Sequence, residues 1–235
     1  MLFRIIAGAS LSLAFLFSGC ATEKGMAVLD NPTTVSQSKK PIYLMSVTLR
    51  NNFVTAYQPR LAAVRLERKY PSGNTSIVLI QPDLQARSES NSPATGCSYL
   101  LRMELDPGDY TLLGLSCLGQ SMYVNGVFFV PIQAKLLPST PGVFYLGHIE
   151  ANVRERKKNE FRAGPLLPVQ DQAVTGASGG TFDVTITDQW ETDSAKFQTK
   201  FPALTGINTK KDVLPAFNRE RIQQWWKDDS FGDLP

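Results

Sequence analysis

The sequence predicts a mainly β chain, an antiparallel β-sandwich followed by one or two C-terminal helices. Three observations carry this. Short runs of β-formers recur from Pro41 to about Thr187, turn signals separate them, and no helix-period segment lies between them. Fifteen prolines and seventeen glycines in 235 residues supply the turns. Short strands with turns at short intervals and no helices between indicate a sandwich more than a parallel sheet, with a closed barrel as the second architecture. The chain is 43% apolar and 19% charged, enough for a real core and too apolar for general disorder.

The strands follow in order. Ile42 to Leu49 is a short β-rich run, and Leu61 to Glu67 ends in alternation before the turn Pro71-Ser72-Gly73-Asn74. Ile77 to Ile80 stops at Pro82-Asp83, and the polar segment from Gln85 to Thr95 reads as a loop. Tyr99 to Leu105 and Tyr110 to Leu115 flank Asp106-Pro107-Gly108-Asp109, where proline presets a turn and glycine is free to take positive φ. This reads as the clearest hairpin in the chain. Further strands are expected at Val124–Ile132, Gln133–Leu137, Val143–Val153 and Thr181–Thr187, with a Pro138–Gly142 turn before Val143.

Two helices close the chain. Thr192 or Asp193 caps the first and Pro202 ends it, with Phe197 and Phe201 one turn apart. Asp212 caps the second and Pro215 suits its first turn. Its apolar side carries Leu214, Phe217, Ile222 and Trp225. Docking on the sandwich is the plain role of that side; Trp225 and Trp226 are alternatively a candidate partner-binding patch.

The N-terminal segment has a different composition. Arg4 is the only charge in residues 1–20, and a 13-residue apolar run, Ile5 to Phe17, precedes Ser18, Gly19 and Cys20. This is the pattern of a secretory signal, and the run is shorter than the roughly 20 residues that span a bilayer. Phe17-Ser18-Gly19-Cys20 resembles the bacterial lipobox, with Phe17 departing from the usual leucine. The resemblance implies cleavage between Gly19 and Cys20, thioether lipid on Cys20 and acylation, such as palmitate, of the new amino terminus. Several chains anchor stably where one is marginal. Ala21, not aspartate, follows the cysteine, and by the same resemblance this favours the outer membrane, with the domain facing the periplasm. The expected organisation is a signal peptide over 1–19, a flexible polar tether over 20–40, a sandwich over 41–190 and a helical extension over 191–235.

Leu105-Asp106-Pro107-Gly108-Asp109-Tyr110 and Pro141-Gly142-Val143-Phe144-Tyr145-Leu146-Gly147-His148-Ile149 resemble small bacterial envelope lipoproteins of unassigned function. Those are thought to carry an Ig-like, carboxypeptidase-regulatory-like (prealbumin-like) sandwich. The resemblance implies that fold over about Tyr43 to Leu204 and brings no catalytic residue with it.

Little chemistry stands out. The net charge of +3, about +2 after removal of Arg4, is too small and dispersed for a nucleic-acid binder. One histidine, and no Cys-x-x-Cys or carboxylate-rich loop, argues against a metal or other cofactor. Gly176-Ala177-Ser178-Gly179-Gly180 spells a hydrolase elbow, but a strand, not a helix, is expected after Ser178, and His148 lies upstream of it. A glycine loop is expected there. His148 alternates with Leu146 and so points toward the core as a structural histidine. Glu150, Asp171, Asp183, Asp188 and Glu191 show no pairing that would build a carboxylate site.

Arg154, Arg156, Lys157 and Lys158 form a candidate surface contact for anionic lipid or wall polymer, or else a solvated hairpin tip. With Cys20 lipidated, Cys97 and Cys117 remain, an even number in an oxidising compartment. The 105–110 hairpin brings them within one register step, so a disulfide is expected, with two buried free thiols as the alternative. The expectation is therefore a non-enzymatic binding or assembly module held at the membrane by lipid, with an envelope protein or cell-wall component as partner. An envelope hydrolase and a purely structural anchor are the alternatives.

Overall fold

The computed structural model describes residues 21–88, 92, 94–121, 123–137, 140–165 and 171–228. The protein is mainly β: two five-stranded sheets pack face to face, with four short α-helices among the described residues. The first sheet runs in the order β1 (Thr22–Gly25), β4 (Thr75–Gln81), β3 (Arg60–Lys69), β6 (Asp109–Ser121), β7 (Val124–Leu136). The second runs β10 (Thr209–Lys211), β8 (Gly142–Glu155), β2 (Pro41–Asn51), β5 (Cys97–Glu104), with β9 (Gly180–Thr187) also on β8. Both sheets are mixed, because β1–β4, β2–β8 and β8–β10 pair in parallel, where a purely antiparallel sandwich was expected.

The main core lies between the sheets. Tyr43, Met45, Val47 and Leu49 alternate along β2 and meet Val64 and Leu66 of β3 and Leu112 and Leu115 of β6. This is the period-2 signature of a strand face turned inward. The segments expected as two strands, 124–132 and 133–137, form the single strand β7. The register with β6 slips between Leu112 and Gly114, and Gln133 adopts φ +55°, so the break seen in the sequence is a β-bulge.

A second core covers the outer face of the second sheet. Ile42, Leu44, Val143 and Tyr145 pack under Phe197 of α3 (Trp190–Lys200), under Phe201 and Leu204 beyond it, and under Ala27, Leu29 and Val35. Each large side chain buried here stabilises by roughly 1.5–3 kcal/mol. The first half of β2 is therefore buried on both faces.

Three expectations are corrected. The segment after Cys20 is not a loose tether. Thr22–Gly25 adds in parallel to β4, Ala27 N donates to Arg102 O at 2.8 Å, and Met26, Ala27, Leu29 and Val35 are buried around the short helix α1 (Pro32–Ser36). A polar stretch without periodicity can still form an edge strand when a neighbour supplies the pairing. Second, Tyr99–Leu105 and Tyr110–Leu115 are not a hairpin. β5 pairs with β2 in one sheet and β6 with β3 and β7 in the other, so the Asp106–Asp109 turn is a corner between sheets. Third, the last helix begins well after the cap expected at Asp212. Helix α4 spans Arg219–Asp228, and Asn218 Oδ1 accepts from Arg221 N at 2.9 Å as its cap. Residues 212–218 lie outside any helix, and their start is bonded to β8 through Asp212 N to Tyr145 O and Leu214 N to Leu146 O. Helix α4 straps the open side of the sandwich: Arg219 donates to Phe182 O of β9 and Arg221 to Gln133 O of β7.

Candidate functional site

The chemistry-bearing cluster sits where the cover of α3 ends. Along the outer face of β2, Ile42 and Leu44 give way to Ser46 and Thr48. Ser46 pairs with His148 of β8, and that pairing depends on a bulge. Leu44 opposes Tyr145 and Ser46 opposes His148, so Leu146 and Gly147 together face Met45. Gly147 takes φ +104°, which glycine alone adopts without strain. The extra residue reverses the alternation. Leu146 points into the core and His148 points outward, which corrects the expectation that both share a face.

Helix α3 brings Asp193 and Lys196 over this spot. Asp193 is fully buried and caps nothing; the N-cap position is Gln189. Its Oδ2 accepts from Tyr145 OH at 2.6 Å and from Ser46 Oγ, and its Oδ1 accepts from Lys196 Nζ at 3.2 Å. Ser46 Oγ also lies 2.7 Å from His148 Nδ1. A hydroxyl has one proton, and Asp193, ringed by donors, takes it. His148 Nδ1 must then donate to Ser46 Oγ, which fixes the Nδ1–H tautomer and leaves Nε2 with its lone pair. Nε2 has no hydrogen-bond partner among the described residues. Burial, first, and the Lys196 charge hold the His148 pKa below its ordinary value, although Asp193 and Glu150 pull it up. Burial and then the hydrogen bond to Asp193 push Tyr145 up, so it stays a donor.

Above this relay opens a cleft of about 740 Å³ lined by Ser46, Thr48, Ser98, His148, Lys196 and Lys200 among others. Thr48 Oγ1 and Ser98 Oγ lie 3.1 Å apart, and Lys200 Nζ donates to Arg87 O at 2.6 Å. Hydroxyls, one imidazole and two ammonium groups supply the chemistry of its wall.

This is not a hydrolytic triad. In a triad the histidine stands between serine and carboxylate and takes the serine proton. Here serine stands in the middle, its proton directed to Asp193, and Ser46 is only 4% exposed. Ser178 is placed elsewhere. His148 pairs with Thr187 and Glu155 with Gly180, which sets about 23 Å of strand between His148 and the glycine loop. The loop follows the four-residue helix α2 (Asp171–Val174) and leads into β9, and Arg162 Nη1 holds Ser178 O at 2.7 Å.

The other sequence candidates fall outside the cleft. Gly19 and Cys20 lie outside the described residues. Arg154 is bound to Glu160 at 2.6 Å and Asp183 at 2.9 Å, whereas Arg156 donates one bond to Glu160 O and has no ion-pair partner among the described residues; Lys157 and Lys158 are exposed. The Arg154 guanidinium draws Glu160 down to about 2. Trp226 packs on Phe161 at 6.3 Å between ring centroids and Trp225 on Phe129 at 6.4 Å, so both tryptophans help dock α4 and are half-buried. The carboxylates are dispersed: Asp171 accepts from Asn125 N, Asp188 pairs with Lys211, Asp183 with Arg154 and Arg219, and Glu150 accepts from Asn152. Among the described residues no three His, Cys, Asp or Glu side chains cluster to hold a metal.

Cys97 and Cys117 are both buried free thiols. The disulfide expected between them rested on a hairpin register that does not exist, since β5 and β6 belong to different sheets. Burial raises both thiol pKa values, that of Cys117 further through Cys97, and both side chains belong to the core between the sheets.

Sequence reasoning missed Ser46, Asp193 and Tyr145. One signal was present: an isolated glycine inside a strand, Gly147, marks a bulge, and a bulge beside the only histidine re-aims it. No family model, curated protein or solved structure matches the chain.

Proposed function

We propose that the chain is a lipid-anchored envelope protein, held by an acylated Cys20 and facing the periplasm, whose sandwich binds a ligand in the cleft over Ser46 and His148 and does not turn it over. The anchor rests on the apolar run ending in Ser18-Gly19-Cys20, and Ala21 favours the outer membrane. The observation that carries binding over hydrolysis is the order of the relay, with Ser46 between His148 and Asp193. Such a relay fixes a proton acceptor, His148 Nε2, at the cleft wall, while Lys196 and Lys200 supply positive charge. A ligand suited to that wall carries an N–H or O–H for His148 and a carboxylate for the lysines, as a wall-derived peptide does.

The test titrates muropeptides, released from peptidoglycan by a muramidase, into isotopically labelled protein and follows the His148 ring by NMR. Saturable shifts that disappear in His148→Gln are expected. No shift, together with fluorophosphonate labelling that Ser46→Ala abolishes, overturns binding in favour of an envelope hydrolase.

A further inference from the structure

The strand β1 begins at Thr22, so only Ala21 separates it from Cys20. Thr22 pairs with Val78 and β1 runs parallel to β4, so the chain before Thr22 heads toward the start of β4 and its turn with β3. That end of the sandwich is defined by pairing. Lys69 opposes Thr75 and Asp109, Tyr110 opposes Leu136, Ile42 opposes Glu104 and Pro41 opposes Gly142. One end of both sheets therefore lies level with the residue that precedes β1.

We infer that this end is a membrane-contact surface, which stands the sandwich upright on the anionic headgroups of the bilayer that holds it. The inference rests on the lipid anchor proposed above. Lys39, Lys69 and Lys135 are exposed there and have no ion-pair partner among the described residues. Tyr70 (37% exposed) and Leu137 (61% exposed) stand beside them. Aromatic and basic side chains are the groups that settle at a headgroup layer. Of the acids at this end, Asp106 is paired with Lys24 at 2.7 Å and Lys40 at 2.8 Å, Glu104 lies 3.9 Å from Lys40, and exposed Asp109 stands opposite Lys69, so the lysines still outnumber the acids. The competing surface is the flank along β1, where Val28 and Leu84 are exposed. There Glu23 and Asp30, which have no ion-pair partner among the described residues, oppose an anionic layer, whereas Asp83 is paired with Arg102.

The geometry also removes Lys157 and Lys158 from that membrane. They follow the far end of β8, whose 14 residues span about 40 Å from the anchor end. With no tether, a short lipid anchor cannot bring both ends to one bilayer unless the domain lies on its side. The cleft over Ser46, five residues into β2, then opens well above the headgroups.

The test reconstitutes the full-length lipidated protein in vesicles of phosphatidylethanolamine with a quarter phosphatidylglycerol. A fluorophore is placed at Ser72→Cys, in the β3–β4 turn, or at Ala56→Cys, at the opposite end, and quenched by a headgroup-attached acceptor. Mass spectrometry of the N-terminal peptide is read from the same sample. Several-fold stronger quenching at position 72 than at 56 is expected, and the double variant Lys69→Glu/Lys135→Glu reduces the difference. With the lipid-bearing peptide present, equal quenching at both positions overturns the upright contact and leaves the anchor standing. An N-terminal peptide without lipid overturns the anchor and the contact with it.

Discussion

The two faces of β2 teach different lessons. Its inner positions, Tyr43, Met45, Val47 and Leu49, are uniformly apolar and at most 2% exposed. Its outer positions begin the same way, with Ile42 and Leu44, and turn polar at Ser46, Thr48 and Arg50. The inner face has one neighbour, the opposite sheet, along its whole length. The outer face changes neighbours midway, from Phe197 of α3 to the open cleft. A face with one neighbour makes core; a face that loses its neighbour exposes polar groups where a buried carboxylate can order them.

The largest effect that separates the faces is a cavity. Leu101, on the inner face of β5, is fully buried, whereas Leu100 beside it points outward and is half-buried. Leu101→Ala is expected to cost roughly 3–5 kcal/mol and Leu100→Ala about 1 kcal/mol, read by urea unfolding. Equal costs would mean that the outer face is as closed as the core.

Next is the carboxylate. Asp193→Ala strands the Ser46 and Tyr145 hydroxyls, both in a buried setting, and frees Lys196. A loss of roughly 2–4 kcal/mol is expected. Asp193→Asn is expected to cost less, because an amide oxygen still accepts from one hydroxyl. If Asp193→Ala proves neutral, the relay contributes no order to the cleft.

These contrasts also mark what the sequence made legible. The inner faces were readable because strand alternation is local: the runs at 42–49, 61–67, 99–105 and 143–153 all became strands. The outer face was not, for three physical reasons. The bulge at Gly147 shifts His148 by one residue, and period-2 reasoning then assigns the wrong side. Asp193 looked like a helix cap because capping is local chemistry, whereas its burial comes from the docking of α3 on a strand 147 residues upstream. The Asp106–Asp109 turn carried hairpin residues, and nothing local states that the next strand joins the other sheet.

That corner leads to the third expectation. Both thiols of the inner core are protected by burial, which raises their pKa and suppresses the reactive thiolate. Iodoacetamide is expected to leave Cys97 and Cys117 unmodified in the native protein and to alkylate both after unfolding without reductant. A requirement for reductant would show instead that the two sheets are joined by a cystine, and would place a covalent bond where the inner face now has only packing.

The smallest effect is the most diagnostic of the outer face. His148 is the only histidine, so its signals are unambiguous. If Asp193 takes the Ser46 proton, Nδ1 carries hydrogen and Nε2 does not. The ¹⁵N shifts of the ring should report that tautomer, the minor one in free histidine. The sign of the pH effect follows from the lowered pKa. Above pH 6.5 the ring is neutral in both folded and unfolded chains, and the full stability is present. As the pH falls below the unfolded value, the unfolded chain takes up a proton that the folded ring resists, so stability declines until the folded pKa is passed. His148→Gln should remove that decline and leave the more acidic one to which Glu160, drawn to about 2 by Arg154, and Asp106, drawn to about 2 by Lys24 and Lys40, contribute. A decline unchanged in His148→Gln would mean that the ring does not set it, and an Nε2–H tautomer would mean that Ser46 gives its proton to His148. The relay would then run in the direction that hydrolysis requires.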